Sequence, residues 1–252
     1  MTGGRQYNQR WRPGCRCATQ FKNWDERVRE RLEAAVQGLD ADYCEIRVEN
    51  ATSTHIGYRI RELESIGSSA ALGGNIRAAV DGGWGFVSFN ELDGLEEKVA
   101  LAVRQARQAA RDGTRLAPVE PATEVVPTEV VKDPAEVSLA DKKALMDEYV
   151  EAALSVSDKI QTSQIYYSDS FRKVRFASSA GSFIEQDRMQ VRAAGSISAR
   201  EGAEIQTGRT SRTSTSDFGA VEGLHEEFAG AGQRAVDLLK ASPARSGEFV
   251  VV

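Results

Sequence analysis

The chain has 252 residues, of which 41% are hydrophobic and 27% charged, and it carries a formal net charge of -5 with a mean hydropathy of -0.40. That length gives room for one large domain or two of ordinary size, with a substantial core in either case. No window approaches the roughly 18 consecutive apolar residues of a membrane helix, so the sequence predicts no membrane span. The negative net charge argues against direct nucleic-acid binding, which depends on surplus Lys and Arg.

The first residues and the cysteines indicate the compartment. Residues 1–22 mix Arg and Lys with Gly, Pro and Cys and have no apolar periodicity, so they predict a disordered or spurious head rather than a targeting peptide. The cysteines are Cys15, Cys17 and Cys44, too few for a disulfide framework. A reducing compartment follows. Cys15 and Cys17 are separated by one residue and have no second pair nearby, which is weak support for a metal site.

Residues 23–113 predict a first unit of two helices around antiparallel strands. A helix capped by Asn23 should run to about Leu39, because apolar residues recur along it at helical spacing. The segments "YCEIRVEN" and "STHIGYRI" alternate with a period of two, as half-buried strands do. "DGG" at residues 81–83 predicts a tight hairpin. A helix should then begin at Asp93, with Glu96 completing a capping box, and end near residue 113.

Residues 114–137 predict an extended linker, and residues 138–245 a second α+β unit. The linker holds four of the six prolines, which exclude a helix. Ser138 should cap a helix to about Val156, and a meander of three or four strands should follow, with a turn at Asp169-Ser170. The polar "GRTSRTSTSDFGAVEG" reads as a mobile loop, and a helix should run from Val221 to before Pro243. Residues 246–252, "SGEFVVV", predict a buried strand. The predicted fold class is therefore α+β, with two units of helices packed on antiparallel sheets.

A search for catalytic chemistry finds no complete site. The two histidines are His55, on the polar face of a predicted strand, and His225, in "LHEEF" on a predicted helix. A zincin helix places a second histidine four residues after the first, but that position is Ala229. Both histidines are therefore interpreted as surface residues.

Nucleotide and hydrolase motifs are also missing. The glycines of "LGGNIRAAVDGGWGF" connect strands and do not form a phosphate loop, and no G-x-S-x-G elbow occurs. The carboxylates of "NELDGLEEK" and "LHEEF" lie where helix starts and exposed helix faces would place them. The sequence therefore predicts no catalytic and no metal-binding residue in this chain, and its substrate-binding residues stay unknown.

The order of several segments resembles the TldD/PmbA family, metallopeptidases that were once called modulators of DNA gyrase. The resemblance runs from about Trp24 to Val252, through "ADYCEIR", "IRELES", "NIRAAVDGGWGF", "YYSDSFRKVRFASSAG" and "AVDLLKASPARSGEFVVV". It implies that residues 23–113 are the family's first domain and 138–245 its central domain. It also implies that 246–252 are the first strand of a missing catalytic domain, in which a His-Glu-x-x-x-His motif binds zinc. The zinc ligands would then lie beyond residue 252, and the chain alone should be inactive.

The resemblance leaves two branches of the family open. TldD-like members carry the zinc motif, whereas PmbA-like partner subunits lack it, and "DGGWGF" favours the TldD-like branch. The implied function is proteolysis of unfolded proteins or small peptides in the cytoplasm, by a homodimer or a TldD–PmbA heterodimer. In that assembly, this part of the protein would contribute the wall of a chamber and subunit contacts. The alternatives are a non-catalytic PmbA-like subunit and an autonomous binding module.

Overall fold

The computed structural model describes residues 27–110, 116–242 and 247–248. The helices in this part of the chain are α1 (Val28–Ala35), α2 (Leu95–Gln108), α3 (Leu139–Leu154) and α4 (His225–Leu238). The strands are β1 (Tyr43–Arg59), β2 (Glu62–Val80), β3 (Gly83–Phe89), β4 (Thr123–Val126), β5 (Ile160–Ser178), β6 (Phe183–Glu201) and β7 (Glu204–Ser214). Short 3-10 helices lie at Pro134–Glu136 and Phe218–Val221. None of the described helices combines the length and apolarity needed to span a membrane.

The strands form a seven-stranded sheet in the order β3-β2-β1-β5-β6-β4, and β7 also pairs with β6. The β2–β3 and β6–β7 pairs are antiparallel, whereas the short β4 runs parallel to the start of β6. The α+β class with antiparallel sheets is therefore confirmed.

The chain divides into two compact units, each described here by itself. The first contains residues 27–50, 70–126 and 173–186, and the second contains residues 51–69, 127–172 and those from 187 onward. Both units take residues from β1, β2, β5 and β6, because each of these strands is long. The domain boundaries expected from the sequence stay a prediction.

The core of the first unit lies between α1, α2 and the sheet. Val28 and Leu32 of α1 and Val36, its C-cap, are buried, as their helical spacing predicts. Alternate residues of β1 join the same core, since successive strand side chains point to opposite faces. Asp81 and Gly82 form the β2–β3 turn with φ values of 48 and 77, so the predicted hairpin is confirmed.

The core of the second unit lies between α3, α4 and the sheet. Ser138 caps α3 by accepting a hydrogen bond from the backbone N–H of Asp141, as predicted. Tyr149 of α3 stacks on Phe228 of α4 with ring centroids 4.8 Å apart. Its hydroxyl donates to the carbonyl of Val221 and accepts from the N–H of Leu224. This buried tyrosine therefore satisfies backbone groups where α4 begins.

Several predicted boundaries are wrong. "YCEIRVEN" and "STHIGYRI" belong to the single strand β1, and Asp169-Ser170 lies inside β5 rather than in a turn. Asp169 stays in the strand because its carboxylate is bonded by Lys142 and by the hydroxyl of Tyr167. The second helix is not capped by Asp93, since its N-cap is Gly94 with a φ of 62.

The first part of the predicted mobile loop, residues 208–214, belongs to strand β7, which pairs with β6 from Val191↔Ser214 to Glu201↔Glu204. The later part of that loop contains the 3-10 helix Phe218–Val221. The position of β7 that faces α4 has no side chain, because Gly208 is in direct contact with the helix backbone. The helix predicted from Val221 begins only at His225, after Gly223 at a φ of 70. The head at 1–22, the Asn23 cap and all of the predicted strand 246–252 except residues 247–248 lie outside the described residues.

Candidate functional site

The two histidines lie at separate surface positions of the second unit. His55 is exposed on β1, and its imidazole lies against Gly67 of β2. His225 is the first residue of α4; its Nε2 lies 2.8 Å from Oε2 of Glu148, and its ring meets Tyr149 edge-on at 5.1 Å. The described residues contain no group of three or more His, Cys, Asp and Glu side chains that could hold a metal ion. A His–Glu pair alone supplies too few ligands for zinc.

The remaining candidates that the structure describes occupy structural positions. Cys15 and Cys17 lie outside the described residues, and Cys44 is a buried thiol in β1. In "LHEEF", Glu227 accepts a hydrogen bond from Arg212 of β7. Glu96 and Glu97 lie in the first turn of α2, where the helix dipole favours negative charge.

Cys44 should be chemically inert in the folded protein. Burial, and to a smaller extent the charge of Glu45, raises the pKa of its thiol from 9.0 to about 11. Because the thiolate is the reactive form, we expect Cys44 to react with iodoacetamide about 100-fold more slowly at about pH 8 than in the unfolded chain. Mass spectrometry of the Cys44 peptide, with and without urea, measures this ratio. Equal rates in the two states would contradict the buried position.

A charged cluster lies inside the second unit. Nζ of Lys142 in α3 is 2.6 Å from Oδ2 of Asp169 in β5, and their side chains are 4% and 12% exposed. The hydroxyl of Tyr167 donates to the same carboxylate oxygen at 2.6 Å. Burial and the charge of Asp169 raise the pKa of Tyr167 above its ordinary value. All three side chains are satisfied by one another, which is the arrangement expected of a structural ion pair.

An aromatic patch lies on β3 of the first unit. Trp84 and Phe86 are 39% and 57% exposed. Gly83, before Trp84, and Gly85, between the two aromatic residues, face α2. Trp84 lies edge-on to Tyr43 and under the guanidinium of Arg77. The patch therefore combines fixed aromatic rings with exposed apolar area, a composition that is enriched in protein interfaces.

A groove of about 330 Å³ lies on the sheet of the second unit, across β5, β6 and β7. Its lining includes Tyr166, Arg192, Ala194, Ser196, Arg209 and Ser211. We call this surface the arginine groove. Gly208 of β7 faces α4, so Arg209 and Ser211 point to the opposite face of the sheet by strand alternation.

Arg192 is held by two other side chains of the arginine groove. Nε of Arg192 donates to Oγ of Ser211 at 3.1 Å, and the guanidinium lies 5.3 Å from the centre of the Tyr166 ring. The β6–β7 register places Ala194 opposite Ser211 and Ser196 opposite Arg209. The lining of the groove thus includes a small apolar side chain, Ala194, and two cationic side chains, Arg192 and Arg209.

The sequence did not reveal the groove or the Lys142 cluster. Lys142 does share a helix face with Met146 and Tyr149, which is a usable signal for a buried lysine. The groove gives a weaker signal, because its residues come from three strands and β7 was interpreted as a loop.

Two family models match the chain and together cover more than half of it. "PmbA/TldA metallopeptidase domain 1" matches residues 44–110, and "PmbA/TldA metallopeptidase central domain" matches residues 132–242. These matches define two consecutive domains of one family of proteins. The chain belongs to the PmbA/TldD family, as its sequence resemblance implied.

Curated relatives are named metalloproteases. A metalloprotease of Synechocystis sp. is 36% identical over 213 residues, which are 84% of this chain and 46% of that protein. A metalloprotease of Methanothermobacter thermautotrophicus is 30% identical over 213 residues, with the same two shares. The chain thus spans about half the length of the curated relatives it matches.

Two crystal structures share the fold. One is a Bacteroides thetaiotaomicron protein described as a candidate modulator of DNA gyrase, with a TM-score of 0.70, 18% identity and coverage of 85% of this chain and 50% of that chain. The other is TldE from Thermococcus kodakarensis, with a TM-score of 0.59, 16% identity and coverage of 79% and 44%. At these identities the likeness concerns the fold alone.

Proposed function

We propose that this chain is the N-terminal part of a TldD-like zinc metallopeptidase, which degrades unfolded proteins or small peptides in the cytoplasm. The observation that carries the proposal is the match of two consecutive family domains, together with relatives at 36% and 30% identity that are named metalloproteases. Those names favour the catalytic branch over a PmbA-like partner subunit.

The described residues do not fit the zinc site of such an enzyme. His225 has one carboxylate neighbour, Glu148, and His55 has none among the described residues. We therefore assign the zinc ligands to sequence beyond residue 252, and no catalytic step to the residues described here.

The proposed contribution of this part is to enclose the substrate and to contact another subunit. The exposed Trp84 and Phe86 support the second role, since aromatic residues supply much of the buried area in protein interfaces. The assembly would be a homodimer or a TldD–PmbA heterodimer. A chamber wall of this kind excludes folded proteins and so restricts substrates to extended chains.

Peptide hydrolysis tests the proposal. The full-length protein that carries this chain should cleave an unfolded protein or a short fluorogenic peptide, lose activity with a zinc chelator and regain it with added zinc. Residues 1–252 alone, given the same zinc, should be inactive. The coding sequence after Val252 should contain His-Glu-x-x-x-His.

Two outcomes would overturn the proposal. Absence of that motif, with no hydrolysis by the full-length protein, would favour a PmbA-like subunit. Hydrolysis by residues 1–252 alone would show that the catalytic groups lie within this chain.

A further inference from the structure

We propose that the arginine groove binds the C-terminal carboxylate of a peptide; the choice of a peptide as occupant rests on the proposed function. Residues that carry no catalytic group would then bind the substrate. The first observation that supports this role is the charge of the groove. The groove is lined by Arg192 and Arg209 and by no acidic residue.

Neither groove arginine has a carboxylate within ion-pair distance in the described part of the chain, whereas other arginines of this unit do. Arg212, three residues after Arg209 on β7, pairs with Glu227, and Arg61 pairs with Glu151. Two guanidinium groups without a counter-charge at one concave surface favour an anionic occupant.

Arg192 is also pre-organised for such a ligand. Its Nε donates to Ser211 and its guanidinium lies against the Tyr166 ring, so the side chain is already held before binding. The two terminal nitrogens remain as donors in a planar fork, which matches the two oxygens of a carboxylate. Less conformational entropy is therefore lost on binding than with a mobile lysine.

The shape and polarity of the groove favour a peptide end over inorganic phosphate. Its volume of about 330 Å³ lies at the lower end of the range for small-ligand sites. The Tyr166 ring and the Ala194 methyl group offer apolar contact for a terminal side chain, while Ser196 can bond a peptide group beside it. Inorganic phosphate would bind the arginines but would make no contact with the apolar Tyr166 ring and Ala194 methyl group.

The test compares two forms of one short peptide that differ only at the C-terminus. A fluorescein-labelled Ala-Ala-Phe is prepared as the free acid and as the amide. Binding of each form to the purified full-length protein is followed by fluorescence anisotropy. A chelator is present throughout, so hydrolysis does not contribute. We expect the acid to bind at least about tenfold more tightly than the amide.

Variants then locate the site. R192Q and R209Q should each remove the preference for the acid. The matched control is R200Q, which removes the same charge from the same strand, outside the groove, at a side chain bonded to the carbonyl of Gly202. R200Q should keep the preference, and circular dichroism should show that all three variants are folded.

Three results would overturn the inference. The first is equal binding of the acid and the amide, and the second is a loss of the preference for the acid in R200Q as large as in R192Q and R209Q. The third is displacement of the labelled acid by inorganic phosphate at concentrations where unlabelled Ala-Ala-Phe does not displace it. Because the assay needs no metal, it is independent of the hydrolysis test. Acid-selective binding in an inactive protein would refute only the proposed peptidase, and an active protein without acid preference would refute only the groove.

Discussion

Replacing Gly85 with alanine should destabilise the first unit by about 3 kcal/mol, because β3 lies in direct contact with the backbone of α2. A Cβ atom at Gly85 would lie 1.9 Å from the carbonyl oxygen of Ala102 and 2.7 Å from the backbone nitrogen of Ala106. The obstacle is helix backbone, so a rotamer change cannot relieve the clash. The strand and the helix must separate, and the packing between them is lost.

The matched control is Gly73→Ala in β2 of the same unit. A Cβ atom there would have one neighbour, the carbonyl oxygen of Phe89 at 3.9 Å, which is ordinary contact. Alanine also restricts the unfolded chain, so this variant should be neutral or more stable by up to about 1 kcal/mol. Urea unfolding and hydrogen exchange in β3 and α2 would measure both effects. Similar behaviour of the two variants would refute the close strand–helix contact.

The close contact explains why periodicity predicted some elements and not others. In α1, α2 and β1 the buried positions are occupied by apolar side chains, so Leu32, Val99 and Ile46 mark the core directly in the sequence. In β7 the position that faces α4 is Gly208, where a Cβ atom would lie 1.9 Å from the carbonyl oxygen of Ala231. The helix backbone fills that space. Without an apolar side chain at this buried position, the sequence of the strand resembles that of a polar loop.

Strand length was under-predicted for a related reason. β1 and β5 have 17 and 19 residues, and each contains a polar stretch between two alternating segments. Polar residues inside a strand are interpreted as a turn unless the side chains that bond them are known. Those bonding side chains are distant in sequence. Asp169 is the example, because Lys142 stabilises it from a helix 27 residues earlier.

The candidate site could not be predicted from spacing. The arginine groove depends on the β6–β7 register, which places Ser196 beside Arg209. Since β7 was not recognised as a strand, its side chains could not be assigned to a face. The family, in contrast, was accessible from the sequence, because the order of its segments does not depend on register.

Replacing Lys142 with methionine should destabilise the second unit by about 3–5 kcal/mol, although methionine has a similar length and is apolar. The loss arises from Asp169, which keeps its negative charge in a largely buried position and retains only the hydroxyl of Tyr167 as a described side-chain partner. Asp169→Asn should have an effect in the same direction, because it leaves the buried ammonium of Lys142 without a counter-charge. Urea unfolding monitored by circular dichroism gives both values.

The matched control is Lys159→Met. Lys159 pairs with Glu201 at 2.7 Å, nearly the same distance as the Lys142–Asp169 pair, but the two side chains are 33% and 56% exposed. Water can solvate Glu201 once the lysine is removed, so the change should stay within about 1 kcal/mol. The contrast between two lysines with similar ion-pair geometry isolates the effect of burial.

The combined variant Lys142→Met with Asp169→Asn removes both charges and keeps an acceptor for the hydroxyl of Tyr167. Removing both charges relieves the desolvation of both, so this variant should be more stable than either single variant. Additive losses in the double variant would mean that the two residues act independently, and a loss below about 1 kcal/mol in Lys142→Met would mean that water reaches Asp169. The expected pattern of two destabilised single variants and a partly restored double variant arises only if the charges stabilise each other inside the fold.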